Sequence, residues 1–114
     1  MNIESVKSLF ALFSGEEDVT GFLPIIDLAM DETKRLLLPD ADYSDKRLDF
    51  LCAAAANLRL QLIRHSHERR EITYAGKLIS TSQPSPLSFA QKLLGDYMLL
   101  CSDLLQPPCL WQSA

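Results

Sequence analysis

The sequence predicts a mostly α protein: a compact bundle of about four helices, with one long central helix and an extended or β-hairpin-like loop before the last. Three observations carry this. Apolar residues recur at spacings of three and four in four separate stretches. The longest stretch contains the run "CAAAANL", whose four consecutive alanines give a helix a small profile on every face and let neighbours approach closely. A single run, "REITYAGKLIS" at 70–80, alternates apolar and β-branched residues with charged ones instead.

At 114 residues the chain fits one domain, near the size where burial only modestly exceeds the entropy cost of folding. Its 47% apolar and 23% charged residues are ordinary for a globular protein and far from the composition of disorder. Within the single domain, 1–114, residues 1–18 read as an N-terminal helix and loop, 19–105 as the core, and 106–114 as a tail.

Asn2 can cap a first helix to about Ser14, with Ile3, Val6, Phe10 and Phe13 on one face and Gly15 as a left-handed stop. "GEEDVTG" is a loop. Pro24 suits the first turn of a second helix that runs to Pro39. Leu23, Ile26, Ala29, Met30 and Leu37 line its apolar side, and Asp31 with Arg35 forms an i,i+4 pair. Ser44 is the expected N-cap of the long helix, about 45–69, with Leu48, Leu51, Cys52, Ala55, Leu58 and Leu62 as its packing stripe. After the alternating run, "TSQPSP" is a polar linker. Ser85 and Pro86 open a last helix to about Leu105, with Phe89, Leu93, Leu94, Tyr97, Leu100, Cys101 and Leu104 apolar, and "QPP" stops it.

No apolar run approaches the ~18 residues that span a bilayer, and the N-terminus lacks a signal-peptide pattern, so the expectation is neither export nor membrane insertion. Cys52, Cys101 and Cys109 are odd in number and sit in apolar surroundings, as reduced buried thiols do. The net charge of −4 argues against a free-standing DNA binder. Residues 1–57 hold 11 acids against 5 bases, and 58–114 hold 4 against 6, leaving −6 and +2. Opposite-sign halves suit head-to-tail contact between copies, and two solvated faces account for the same charges.

Most motifs fail on chemistry. "DADYSDKRLDFL" places Asp40, Asp42 and Ser44 like calcium ligands, but Asp45 stands where the sharp-turn glycine belongs and Leu51 where the bidentate acid belongs. His65 and His67 lie about 200° apart on a helix and cannot share a metal. The sequence contains no nucleophile elbow, phosphate loop, dinucleotide fingerprint, "HExxH" or "CxxC", and neither an enzyme nor a cofactor is expected. Arg59 and Arg70 fall on nearly one line of the long helix, beside Ser66 and His67, where they can meet an acidic neighbour or phosphate or simply face solvent. Trp111 and Leu110, beside two prolines, form an anchor for a partner or fold back on the helices.

The stretches "FLPIIDLAMDETKRLLLPDADYSDKRLDFLCAAA", "AAAANLRLQLIRHSHERREITYAGKLIS" and "FAQKLLGDYMLLCSDLL" together resemble the small helical head-tail connector, or adaptor, proteins of tailed bacteriophages, over about residues 19–105. The first helix and the tail "CLWQSA" match nothing in that pattern. The resemblance implies a structural virion protein at the head-tail junction, present in host cytoplasm during assembly. It would form a homo-oligomeric ring of about a dozen copies between the portal and the tail completion or stopper protein. DNA would pass through the ring without sequence-specific binding, and no membrane would be involved. On this reading 71–80 is an extended arm at a subunit boundary, with Ile72 and Tyr74 buried against the next copy and Arg59, Arg70, Lys77 and Trp111 as further interface residues. The alternatives are a hairpin folded on its own helices and, for function, a small bacterial interaction module such as an adaptor or regulatory dimer.

Overall fold

Local chemistry starts and stops each helix. The computed structural model describes residues 1–75 and 85–106, with side chains over 1–67 and 85–106. Helix α1 (Ile3–Ser14) opens where Asn2 Oδ1 accepts the Glu4 N–H at 3.0 Å. It closes on Gly15, whose φ of +79° is the left-handed value that glycine adopts without a Cβ penalty. A single 3₁₀ turn, Thr20–Phe22, leads into α2 (Leu23–Leu36), with Pro24 in its first turn and Lys34 and Arg35 in its last, where the helix dipole favours cations. The expected Asp31–Arg35 pair forms at 3.1 Å.

Helix α3 (Lys46–Ala75) has 30 residues, a rod about 45 Å long. Its cap is one residue later than expected. Asp42 takes both the Ser44 hydroxyl (2.6 Å) and the Ser44 N–H (2.9 Å), and Asp45 Oδ1 instead accepts the Arg47 N–H at 2.9 Å. The far end also differs: α3 passes the expected stop at 69, so the first five residues of the expected extended arm, 71–75, are helical. Ile72, Thr73 and Tyr74 each cost only a few tenths of a kcal/mol in a helix. Propagating an established helix outweighs that. The rest of the expected arm, 76–80, lies outside the described residues. Helix α4 (Pro86–Leu100) begins as the sequence indicates, with Ser85 Oγ accepting the Ser88 N–H at 3.1 Å and proline in the first turn.

Around α3 the other three helices are arranged, each packed on it, while α1 and α2 touch each other only slightly. One apolar cluster joins Val6 and Phe10 of α1, Ile26 and Ala29 of α2, and Cys52, Ala53, Ala56 and Leu60 of α3. A second joins Leu48 and Leu51 of α3 to Leu37, Cys101, Leu104 and Leu105. Between them, Tyr97 of α4 lies 6.0 Å from the Phe13 ring of α1 and 5.5 Å from Phe50 of α3. The alanine run behaves as its size suggests: Ala53, Ala54 and Ala56 are fully buried, and Ala53 and Ala56 join the cluster with α1 and α2. The packing stripe is shorter than expected, because Leu62 is 46% exposed and Leu58 half-buried.

Two polar devices close the bundle. The segments after α2 and after α4 meet in one antiparallel bridge between Leu37 and Leu105. Leu38 N–H donates to the Leu104 carbonyl (2.9 Å), and Gln106 donates from its backbone to Leu36 (2.8 Å) and from its side chain to Leu37 (3.0 Å). Leu38 and Gln106 each precede a proline, and a residue before proline is pushed toward extended backbone. The other device is Arg47. Its guanidinium bonds Asp45 (2.8 Å), both oxygens of Asp103 (3.0 and 3.1 Å) and the Leu100 carbonyl (2.9 Å), tying the start of α3 to the end of α4. Those bonds hold the Asp45 and Asp103 carboxyls below the usual carboxylate range and push the Arg47 guanidinium up.

Ile26→Ala and Leu48→Ala are expected to lower unfolding free energy by about 2–5 kcal/mol in urea titrations, because each empties a fully buried site. Leu62→Ala should stay within about 1 kcal/mol. Asp103→Asn tests the clamp through pH. A carboxyl with a depressed folded-state pKa stabilises fully above its unfolded value of about 3.9, and that contribution fades as pH falls through the folded value. The melting-temperature gap between parent and Asp103→Asn should therefore be widest at neutral pH and close under strongly acidic conditions.

Candidate functional site

Helix α4 carries more apolar side chain than it hides. Two stripes share it. Ala90, Leu94, Tyr97 and Cys101 turn toward α3. Phe89, Leu93 and Leu100 fall on a second line beside the first, with the exposed Asp96 between Leu93 and Leu100. Among the described residues of α4, Ala90 is the one fully buried. Phe89 is 61% exposed and Leu100 52%. Isolated exposed leucines are unremarkable on any surface. A stripe in helical register is a feature that suits contact with another helix.

Three helices cannot enclose a fourth completely, and α4 is flanked by an open groove on each side. The groove between α2 and α4 has a volume of about 300 Å³ and an apolar wall of Leu36, Leu51, Leu58, Leu62, Leu94 and Met98. Arg59 and Glu32 stand in its lining as a bidentate ion pair, with Nη2 2.5 Å from Oε2 and 2.6 Å from Oε1. The groove between α1 and α4, about 340 Å³, is more polar. Phe13, Phe89 and Leu93 face Asn57 and Gln61, two buried amides joined by a 3.1 Å bond, and Arg64, which pairs with Glu16.

The residues singled out from sequence fall apart in space or lie outside the described region. Arg59 is engaged by Glu32 within the chain. The side chain of Arg70 is outside the described residues. Ile72 and Tyr74 belong to α3 by backbone, their side chains likewise outside, and Lys77 and Trp111 lie in undescribed segments. Sequence reasoning passed over the exposed stripe of α4. Phe89, Leu93 and Leu100 are legible as apolar in the sequence, together with residues that are buried, and nothing in the spacing separates the two sets. The usable signal was the total: α4 has more apolar residues than one neighbouring helix can cover, and Phe89, Leu99 and Leu100 are the ones left exposed.

Reactive chemistry is muted among the described residues. No group of three or more His, Cys, Asp or Glu side chains is placed to hold a metal ion. The acids of "DADYSD" are engaged locally: Asp42 by Ser44, which holds its carboxyl below the usual range, and Asp45 by Arg47. Burial pushes the Cys52 thiol up to about 11 and raises Cys101 as well, so neither carries appreciable thiolate at neutral pH. No helix among the described residues is long and apolar enough to cross a membrane. Among the described residues the arrangement offers apolar docking surface.

No protein-family model, curated protein or solved structure matches the chain.

In a Cys109→Ser variant, no thiol is expected to react with an aromatic disulfide reagent in the native state. Both remaining thiols should react together on unfolding in urea, as absorbance of the released thiolate reports.

Proposed function

We propose that the chain is a structural, non-enzymatic assembly subunit of the head-tail connector type. It would form a ring between portal and tail completion proteins and contribute to the channel for the genome. The observation that carries this reading is the exposed apolar surface of α4, Phe89, Leu99 and Leu100, beside two open grooves. Such a surface favours burial against another chain, and a head-to-tail contact repeated by rotation closes into a ring. The order of elements supports the specific class: the resemblance implies a short helix, a long helix, an extended loop and a closing helix over about residues 19–105, and α2, α3 and α4 follow in that order. The net charge of −4 suits a conduit that holds phosphate weakly.

The end of α3 belongs to the same proposal. Ser85 and Pro86 lie against Gln61, Arg64 and His65, so α3 continues about 15 Å beyond the start of α4 before Ala75. A rod that extends past the other described helices is suited to reach a neighbour, and Ile72, Tyr74 and Lys77 are the residues proposed to meet it. The second reading, a small helical interaction module such as a regulatory dimer, draws on the same exposed surface in a two-fold contact.

The two separate by assembly size. Native mass spectrometry and negative-stain microscopy, with the protein alone and mixed with the portal encoded by its genome, should show a ring of many copies. Phe89→Glu with Leu100→Glu should abolish that ring and leave helix content by circular dichroism unchanged, since both side chains are exposed. A dimer at every concentration, with no portal binding, would establish the second reading instead.

A further inference from the structure

The groove between α2 and α4 is apolar, open, and next to Gln106, the last of the described residues. We propose that in the free monomer it is filled by the chain's own C-terminal segment, residues 107–114, with Leu110 and Trp111 as the anchor. This stands apart from the assembly reading, because it concerns the isolated chain.

The exit point is the first argument. Gln106 is fixed by two hydrogen bonds, one from its backbone N–H to the Leu36 carbonyl at 2.8 Å and one from its side chain to Leu37 at 3.0 Å. Leu36 is itself part of the groove wall, so the segment that follows Gln106 starts at the groove's edge. Reach is the second. From Leu51 to Leu62 along α3 the groove floor runs about 16 Å. Five residues from Gln106 to Trp111 span up to about 17 Å when extended. Trp111 can therefore be placed anywhere along the floor.

Chemistry supplies the third. The wall is leucine and methionine, and Leu94 and Met98 of α4 face Leu58 and Leu62 of α3 across the gap. A methionine thioether beside an indole is a favourable contact, and an indole buries more apolar area than any other side chain. Pro107 and Pro108 restrict the backbone that leads to the anchor, which lowers the entropy cost of laying it down. The tether also decides the occupant. Eight residues attached at the groove's edge give an effective concentration on the order of millimolar, which an untethered second copy does not match in dilute solution.

Trp111 is the chain's one tryptophan, so its fluorescence reads the segment directly. In the full chain, at concentrations where native mass shows monomer, emission should be blue-shifted and shielded from acrylamide. Leu58→Glu should move it to the solvent-exposed position and raise quenching several-fold, with helix content retained. In the unmutated chain, nuclear Overhauser contacts from the indole to the methyls of Leu58, Leu94 or Met98 give a second reading that does not depend on the variant folding. Solvent-like emission in the monomer, absence of those contacts, or shielding that appears only as the mass doubles would each overturn the proposal. The last result would assign the groove to a second copy.

Discussion

The bundle depends on one constraint: α3 must be coated on several sides at once with side chains too small to hold neighbours away. Between Cys52 and Ala56 it presents little beyond methyl groups and one thiol, and Cys52, Ala53, Ala54 and Ala56 are all fully buried. Helices α1, α2 and α4 can each approach that segment closely because nothing bulky intervenes. The larger side chains that fill the remaining space come from outside it, Phe10 and Ile26 on one side, Leu48 and Leu105 on another. A leucine placed in the run would push one helix off its seat.

From the same constraint come the open surfaces. Three partners around one rod leave gaps, and α4, held at one end by Arg47 and along its length by Ala90 and Tyr97, leaves its second stripe facing out. The fold thus produces apolar relief as a by-product of its packing. Function is proposed to use that relief, through contact and shape, in place of any reacting group. The two described thiols are buried, and Asp42 and Asp45 are engaged locally by Ser44 and Arg47.

Much of the architecture was legible because short-range chemistry wrote it. Asn2, Gly15, Pro24, Ser85 and Pro86 fix helix ends through bonds or backbone restrictions within a few residues, and the structure places them as the sequence indicates. Ser44 misled because two acids compete around it: Asp42 captures its hydroxyl, and Asp45, three residues on from Asp42, takes the cap. Periodicity identified which residues are apolar without saying which would find a neighbour. Leu62 and Phe89 follow the same pattern as Leu48 and Tyr97 and differ only in what lies opposite, a property of the assembled bundle. Alternation in "REITYAGKLIS" suggests an extended arm or hairpin over 71–80, yet weak local preferences do not end a helix already propagating through Arg70, and 71–75 continue it. The Arg47 clamp was invisible, since Arg47 and Asp103 are 56 residues apart.

The pairing of Leu37 with Leu105 has a further implication. Proline follows closely on both sides, at 39 and 107, and a residue without an amide hydrogen cannot extend a ladder. The bridge is thereby self-limiting, one rung that recruits no additional backbone. At this corner the two prolines set how far the paired segments can run, so the clasp between them stays short by covalent constraint.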